Sequence, residues 1–154
     1  MDNIEFVEFK LVNPDDFLSI VNAESLRAHL VDHAYFDSAS IRQWMSEKSH
    51  IDAIEGCRVR AVFVGGRLAG WCGIQPDDNG FEIAIVISKD NWGVGIPIFK
   101  EMMCWAKELG HKEVIFHLLD TRPEYKFLSK KSTKVQKTEL MGRGFTSYSL
   151  PVEK

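Results

Sequence analysis

The 154 residues, 45% hydrophobic and 27% charged, are enough for one domain that folds without disulfides or a structural metal. A net charge of −3 argues against a broad surface for nucleic acid or anionic membrane. Three scattered cysteines without a CxxC pair are expected to be free thiols in a reducing cytosol. The acidic, strand-like N-terminus is unlike a signal peptide, and no apolar run approaches the ~20 residues of a membrane span. We therefore expect one domain over 1–154 in a cytoplasmic protein, with no nucleic-acid or membrane partner.

The first third of the chain predicts one strand and two helices. Alternation over 4–11 indicates the strand. Residues 13–16, Asn-Pro-Asp-Asp, are typical of a helix start, because proline is tolerated in the first turn and carboxylates are favoured there by the helix dipole. A second helix is predicted over 38–54, with Ser38 or Ser40 as its cap.

Three antiparallel strands are predicted next. Residues 58–64 alternate, and a Gly-Gly pair then indicates a tight hairpin turn into a second strand over 67–75. A turn over 76–80 leads into an apolar strand over 81–88, with Glu82 near its start. The short connections require neighbouring strands to run antiparallel.

The second half of the chain begins with a helix over 95–109, which Gly110 ends as a C′ glycine. The remaining predicted elements are a strand over 112–119, a polar connection over 121–134, a short helix over 135–143 and a final strand over 144–152.

Two glycines, Gly93 and Gly95, stand with Pro97 at the mouth of the helix over 95–109. A helix N-terminus offers unpaired N–H groups and partial positive charge, and glycines let the backbone approach an anion and adopt positive φ. A dinucleotide-binding G-x-G-x-x-G would need a third glycine where Ile98 stands, and a lysine-bearing phosphate loop is absent. The pattern predicts a phosphate site at 90–97; a loop that merely starts a helix is the alternative.

This order of elements resembles the GNAT superfamily, the Gcn5-related N-acetyltransferases. The similarity covers nearly the whole chain and centres on residues 81–119, with a weaker echo in Gly-Arg-Gly-Phe at 142–145. The family's loop pattern is glutamine or arginine, two residues, glycine, one residue, then glycine or alanine. With Gly93 and Gly95 as the glycine pair, Asp90 takes the first position, which departs from the pattern. With Gly95 as the first glycine, Trp92 comes first and Pro97 last, as in relatives that carry W-G-x-G. Both registers mark the same loop.

The resemblance implies an α/β (α+β mixed) fold with a mostly antiparallel mixed sheet, splayed between its fourth and fifth strands and flanked by about four helices. It implies acetyl-CoA as acyl donor, no metal, a small-molecule or peptide amine as acceptor, and a possible homodimer. The pyrophosphate would lie on the glycine loop, and the pantetheine arm would pair with the strand before it. The implied cofactor-binding residues are Ile85, Val86, Ile87, Asn91, Trp92, Gly93, Val94, Gly95, Ile96, Pro97, Lys130 and Lys131.

Transfer of an acyl group from a thioester to an amine needs a neutral amine, a donor to the oxyanion and a proton for the thiolate. Glu82 is the first candidate base, because burial of a carboxylate can raise its pKa toward neutrality. A glutamate that faces solvent, or pairs with Arg60 or Arg67, is the alternative. His117 is the second candidate, since its usual pKa suits base work near pH 7. A hydrogen-bonded core histidine is the commoner role.

The residue that would protonate the leaving thiolate, the general acid, departs from the family pattern. The family often has a tyrosine in the last helix, about five residues before a terminal Gly-Phe, and counting back from Phe145 reaches Leu140. The family's asparagine falls near Thr133. The substitutes left open are Tyr125, Tyr148, Ser129 and Ser132, and Tyr125 joins Glu82 and His117 as a candidate catalytic residue.

The resemblance also implies that the first two helices shape the acceptor pocket. The wall candidates are His33, Tyr35, Phe36 and Trp44, whose aromatic rings could equally be core. A metal reading of His29, Asp32, His33 and Asp37 is disfavoured, because nothing else in the sequence completes the ligand set.

Three functions follow from these observations. The leading one is an acyl-CoA-dependent N-acyltransferase. The second is a GNAT-fold module that binds acyl-CoA or a protein without turnover, which the missing tyrosine supports. The third is an interaction protein whose glycine loop binds nothing.

Overall fold

The computed structural model describes residues 3–22, 36–78, 80–119, 126–140 and 143–152, and all structural statements concern these residues. They form seven strands, four α-helices and two 3₁₀ helices, the latter at Phe9–Leu11 and Lys89–Val94. In chain order the others are β1 (Ile4–Val7), α1 (Pro14–Val21), α2 (Ser38–Asp52), β2 (Arg58–Val64), β3 (Arg67–Asp77), β4 (Gly80–Ile87), α3 (Gly95–Glu108), β5 (Glu113–Leu119), α4 (Lys126–Lys131), β6 (Lys134–Leu140) and β7 (Arg143–Pro151). None of the described helices is long and apolar enough to cross a membrane.

The strands form one sheet in the order β1-β2-β3-β4-β5-β7-β6. Every neighbouring pair is antiparallel except β4 and β5, which are parallel. That parallel pairing holds only at Glu82 with Ile115 and at Ile83 with Phe116, whereas β4 stays paired with β3 as far as Ile87. The sheet is therefore splayed, with a gap between β4 and β5 beside residues 84–87. The predicted mixed fold with this splay is confirmed.

The two faces of the sheet carry separate cores. Alternation along β4 turns Ile83 and Ile87 into the core beneath α3, and turns Ala84 and Val86 toward α1 and α2. Glu82 shares the second face because it lies two residues from Ala84. The gap consequently opens between a face covered by α1 and α2 and a face covered by α3.

The predicted helix over 135–143 is wrong. Residues 134–140 form β6, which pairs with β7 from Lys134 opposite Ser149 to Leu140 opposite Arg143. The last helix is α4, within the stretch predicted as a polar connection, and the buried Leu128 anchors it to the core. Strand β6 is an edge strand with mostly exposed side chains, so its sequence has no buried stripe to reveal it.

Two details at the N-terminus also differ from expectation. Strand β1 ends at Val7, because Phe9 turns in a 3₁₀ helix and buries its ring 4.9 Å from that of Phe17. The cap of α2 is Asp37, whose carboxylate accepts from the Ser40 N–H at 2.8 Å while Ser40 Oγ accepts from the Asp37 N–H. The predicted caps are therefore wrong: Ser38 is the first residue of α2, and Ser40 is the second partner in this reciprocal capping box.

Gly70 lets β3 approach β4 beside the gap, and it supplies a stability prediction. A Cβ at Gly70 would overlap the backbone carbonyl oxygen of Val86, which cannot move without disturbing the β3–β4 pairing. Gly70→Ala is expected to cost more than the ~1–3 kcal/mol typical of overpacking, or roughly 6 °C or more in Tm. Thermal unfolding checks this, with Gly93→Ala as the matched control, since a Cβ there meets no heavy atom within 4 Å. Equal Tm values for the two variants would contradict the prediction.

Candidate functional site

Three polar side chains from three neighbouring strands meet where β4 and β5 separate. Asp77 ends β3, Glu82 lies near the start of β4, and His117 lies in β5. His117 Nε2 is 3.1 Å from Asp77 Oδ1 and 3.8 Å from Glu82 Oε2. The three side chains keep 12–23% of their surface exposed, so the cluster is sheltered but remains accessible from solvent.

A hydrogen-bonded chain holds the Glu82 carboxylate from the opposite side. Gln75 lies directly across from Glu82 in the β3–β4 ladder, and its Nε2 donates to Glu82 Oε1 at 2.9 Å. Lys48 Nζ, from α2, donates to Gln75 Oε1 at 2.7 Å and lies 4.5 Å from the centre of the Trp71 ring. Because Lys48 fixes the amide oxygen, the amide NH₂ faces Glu82. Atom Oε1 is thereby occupied, and Oε2 is directed toward His117.

Burial changes the proton affinities of Glu82 and Lys48. Desolvation raises the pKa of Glu82, and the nearby Asp77 carboxylate raises it further; the Gln75 hydrogen bond, His117 and Lys48 act in the opposite direction. Burial also lowers the pKa of Lys48, against the pull of Glu82 and Glu47. Glu82 is therefore a stronger base than an exposed glutamate.

His117 is held at both ring nitrogens. Its Nδ1 is 2.6 Å from Ser147 Oγ, and that buried hydroxyl is also 2.8 Å from Thr138 Oγ1. These contacts come from β7 and β6, so the far half of the sheet fixes the orientation of the imidazole. The Nε2 edge is directed at the two carboxylates.

The glycine loop forms the other end of the gap. Residues 89–94 make a 3₁₀ helix, and α3 begins at Gly95 with no side-chain cap and no acidic residue in its first turn. Gly93 and Gly95 do not have the positive φ expected of them, because both lie in helical turns. A Cβ at either would meet no heavy atom within 4 Å. Neither backbone strain nor packing explains these glycines, and no side chain caps the first N–H groups of α3.

The backbone of β4 connects the two ends. The backbone N–H of Ser88 donates to the backbone carbonyl of Ala69 at 2.8 Å. Alternate residues of an antiparallel strand turn their N–H and C=O groups toward the same neighbour, so Val86 also pairs with β3. The N–H and C=O of Ile85 then turn toward the gap, where an extended ligand can pair with them.

No protein-family model and no curated protein sequence matches this chain. Solved structures do match it. A GNAT-family acetyltransferase from Streptococcus pneumoniae has a TM-score of 0.64 at 16% identity, covering 97% of this chain and 99% of that one. The spermidine N-acetyltransferase of Vibrio cholerae, in complex with CoA and spermine, has a TM-score of 0.72 at 11% identity, covering 98% and 95%. A Salmonella typhimurium structure with its cofactor acetyl-CoA has a TM-score of 0.66 at 13% identity, covering 100% and 95%.

The chain has the GNAT fold. Over nearly their full lengths, this chain and the matched chains share one fold at very low sequence identity. The resemblance seen in the sequence is confirmed at that level. The roles of individual residues in this GNAT fold stay predictions.

The structure brings some of the predicted site residues of the GNAT fold together. Glu82 and His117 meet in the cluster, whereas residues 85–87 and 91–97 follow in turn along β4, the 3₁₀ helix and the start of α3. Lys130 and Lys131 are exposed in the last turn of α4. Lys131 lines an open cavity of about 560 Å³ alongside α3. The Arg60 pairing considered for Glu82 is wrong, because that guanidinium lies 2.7 Å from Asp52 Oδ1.

The acceptor-wall candidates divide into two groups. Phe36 and Trp44 pack 5.9 Å apart in an aromatic cluster with Trp71, over the face of the sheet that carries Glu82. His33 and Tyr35 lie outside the described residues, as do His29 and Asp32 of the disfavoured metal reading.

The assignment of Leu140 to the acid's position is wrong. Gly144 and Phe145 belong to β7 and follow a strand rather than a helix, so counting back from them does not reach the last helix. Tyr148 is a core residue, 1% exposed, and Ser132 Oγ donates to the Leu128 carbonyl at 2.6 Å. Tyr125, which precedes α4, lies outside the described residues.

Sequence reasoning missed Gln75, Asp77, Lys48 and Ser147. The first two had a signal, because Asp77 pairs with Gly80 and only two residues of the chain separate these partners. Reading that shorter connection from the sequence would have placed Gln75 opposite Glu82. Ser147 had none, since its position depends on the β5–β7 pairing across thirty residues.

Proposed function

We propose that this chain is an acyl-CoA-dependent N-acyltransferase that uses acetyl-CoA and a primary amine. The observation that carries the proposal is the gap between β4 and β5. The splay starts at the Asp77–Glu82–His117 cluster, and β4 runs along the gap to the 3₁₀ helix that leads into the uncapped N-terminus of α3. A ligand with a pyrophosphate, an extended arm and a terminal thioester matches that order of features.

The pyrophosphate binds at the N–H groups of Gly95 and Ile96, where the α3 dipole favours an anion. Pro97, the next residue, has no N–H to offer. The extended arm pairs with the backbone of β4 at Ile85, flanked by Val86 and Ile87, as a strand added to an open edge. Lys130 and Lys131 act as point charges for the remaining phosphate.

Glu82 Oε2 takes the proton from the amine, because the raised pKa of Glu82 makes its carboxylate a better base. The neutral amine nitrogen attacks the thioester carbon, forming the C–N bond. The C–S bond then breaks, the nitrogen gives up the extra proton that it carries in the tetrahedral intermediate, and the thiolate takes up one proton to leave as the thiol. The leaving thiolate is tolerable, since a thiol has a pKa of about 8.5. His117 orders the cluster through its contacts with Asp77 and Ser147. Tyr125 is retained as the candidate acid.

The acceptor is a small-molecule or peptide amine. Asp77 and Glu82 attract a cationic ammonium group to the cluster before it loses its proton. The amine spermine in the Vibrio cholerae structure supports this class of acceptor. Phe36 and Trp44 supply an aromatic wall on the same face of the sheet.

A GNAT-fold module without turnover is less well supported. Its basis was the loss of the family's tyrosine at Leu140, and that residue lies in β6. A half-buried carboxylate directed into the gap favours turnover.

A thermal-shift titration with acetyl-CoA, CoA and NADH tests the proposal. Ligand at 100 times its Kd adds about 2.7 kcal/mol, or roughly 5–10 °C in Tm for a domain of this size. Both CoA species are expected to raise Tm, and NADH is not. Thiol release from acetyl-CoA in the presence of a panel of amines then tests for turnover. If neither acetyl-CoA nor CoA raises the Tm, the proposed enzyme function is rejected.

A further inference from the structure

The Asp77–Glu82–His117 cluster directs two carboxylates at one imidazole nitrogen. Nε2 carries at most one hydrogen, so it cannot donate fully to Asp77 Oδ1 and Glu82 Oε2 at the same time. Lys48 acts on Glu82 from behind the Gln75 amide, which lies between the two side chains. The two sheltered carboxylates therefore share one Nε2–H. Loss of that proton leaves a nitrogen lone pair beside both of them, an arrangement that a divalent cation stabilises.

We propose that Asp77, Glu82 and His117 bind a divalent transition-metal ion, for which Zn²⁺ is the probe. The three ligand atoms all lie within 4.8 Å of one another. Zinc bonds to nitrogen and oxygen of about 2.0–2.2 Å put two ligands of a tetrahedral ion about 3.4 Å apart. The separations from Nε2, 3.1 and 3.8 Å, lie on either side of that value. Side-chain rotation on binding would bring all three atoms to that separation.

Contacts outside the cluster orient two of the ligands. In the tautomer that metal binding requires, Nδ1–H donates to the buried Ser147 Oγ at 2.6 Å, and the Nε2 lone pair is directed at the carboxylates. Gln75 occupies Glu82 Oε1 and leaves Oε2 for the metal. The ligands come from three adjacent strands, and partial exposure leaves a fourth coordination position for water.

Bound zinc would occupy Glu82 Oε2, the atom proposed to take the proton of the amine. The site goes beyond the proposed function, since the metal has no part in acyl transfer and would inhibit it reversibly. Zinc binding is measured without turnover, so failure of either proposal is seen separately.

Competition between the full-length, chelator-treated protein and a chromophoric zinc indicator tests the site. We expect one Zn²⁺ per chain, and at least tenfold weaker binding in Asp77→Asn and in His117→Gln. Ser147→Ala, which removes the acceptor at Nδ1, is expected to weaken binding about 10–100-fold. The controls are Asp78→Asn, the exposed carboxylate next in the chain, and His50→Gln, an exposed histidine of α2. Both controls are expected to bind as the wild type does.

X-ray absorption of the zinc complex supplies a readout that does not depend on variants. Only nitrogen and oxygen ligands are expected, because the cysteines are not part of the site. Sulfur ligands would overturn the proposal. The proposal would also be overturned if the wild type bound Zn²⁺ no more tightly than His117→Gln does. Equal losses of Zn²⁺ affinity in Asp77→Asn and Asp78→Asn would overturn it as well.

Discussion

Replacing Glu82 by glutamine is expected to lower kcat/KM for acyl transfer about 100-fold or more, with unchanged affinity for CoA. Glutamine keeps the shape of the side chain and can still accept from Gln75 Nε2, but it cannot take a proton from the amine. Thiol release measures the loss, and the thermal shift with CoA shows that the donor still binds. The matched control is Glu139→Gln on the exposed strand β6, which is expected to retain full activity.

The pH dependence of kcat/KM for the same variant shows whether Glu82 acts as the general base. Burial raises the pKa of Glu82, and the carboxylate form that a base requires is populated only above that raised pKa. The acid limb of the wild-type kcat/KM profile is therefore expected to lie above the ordinary glutamate pKa of about 4.3. Glu82→Gln is expected to lose that limb, and a limb that persists would assign it to another group.

As the pH rises, the stability of the wild type is expected to fall while its activity rises. A carboxyl group whose pKa is higher in the folded than in the unfolded state stabilises the fold fully below the unfolded pKa of about 4.3. That contribution is lost as the pH rises through the folded pKa. The glutamine of Glu82→Gln does not titrate, so the Tm of the variant is expected to rise relative to wild type between pH 4 and pH 8. A large loss of Tm at pH 8 would mean that Glu82 is a structural anchor instead.

Replacing Gly95 by aspartate is expected to weaken CoA binding at least tenfold without harming the fold. A Cβ at Gly95 meets no heavy atom within 4 Å, and a carboxylate in the first turn of α3 gains about 0.3–1 kcal/mol from the helix dipole. The same negative charge would lie beside the pyrophosphate, and two like charges 4 Å apart repel by about 4 kcal/mol before screening. Calorimetric titration with CoA measures the affinity, and the loss is expected to shrink at high salt.

Gly95→Asn is the matched control because it has the size of aspartate without the charge. It is expected to lie between wild type and Gly95→Asp in affinity for CoA. If asparagine and aspartate weaken binding equally, the effect is steric. If neither has any effect, the anion does not bind at the start of α3.

Short stretches of sequence were sufficient to predict turns and helix ends, because these features depend only on neighbouring residues. The Gly65-Gly66 hairpin has the positive φ values, 59° and 82°, that its turn requires, and Gly110, at 84°, follows α3 as a C′ glycine should. Asn13 caps α1 by accepting from the Asp15 N–H at 3.0 Å. These conformations follow from backbone sterics and local hydrogen bonds, so they are legible in a few residues. The order of such elements was also enough to indicate the GNAT fold.

Only the tertiary structure could decide features that depend on distant pairing. Strand β6 forms because β7 lies beside it, although its exposed side chains carry no buried stripe. Asp77, Glu82 and His117 meet because of the β3–β4 register and the two-residue parallel contact between β4 and β5. The sequence by itself identified Glu82, His117 and the glycine loop as separate candidates. The contacts that orient Glu82 Oε2 and the His117 ring toward each other come from Lys48, Gln75 and Ser147. Of these three, only Gln75 had a local signal, the short β3–β4 connection, whereas Lys48 and Ser147 reach the site through packing and sheet pairing of residues far apart in the chain.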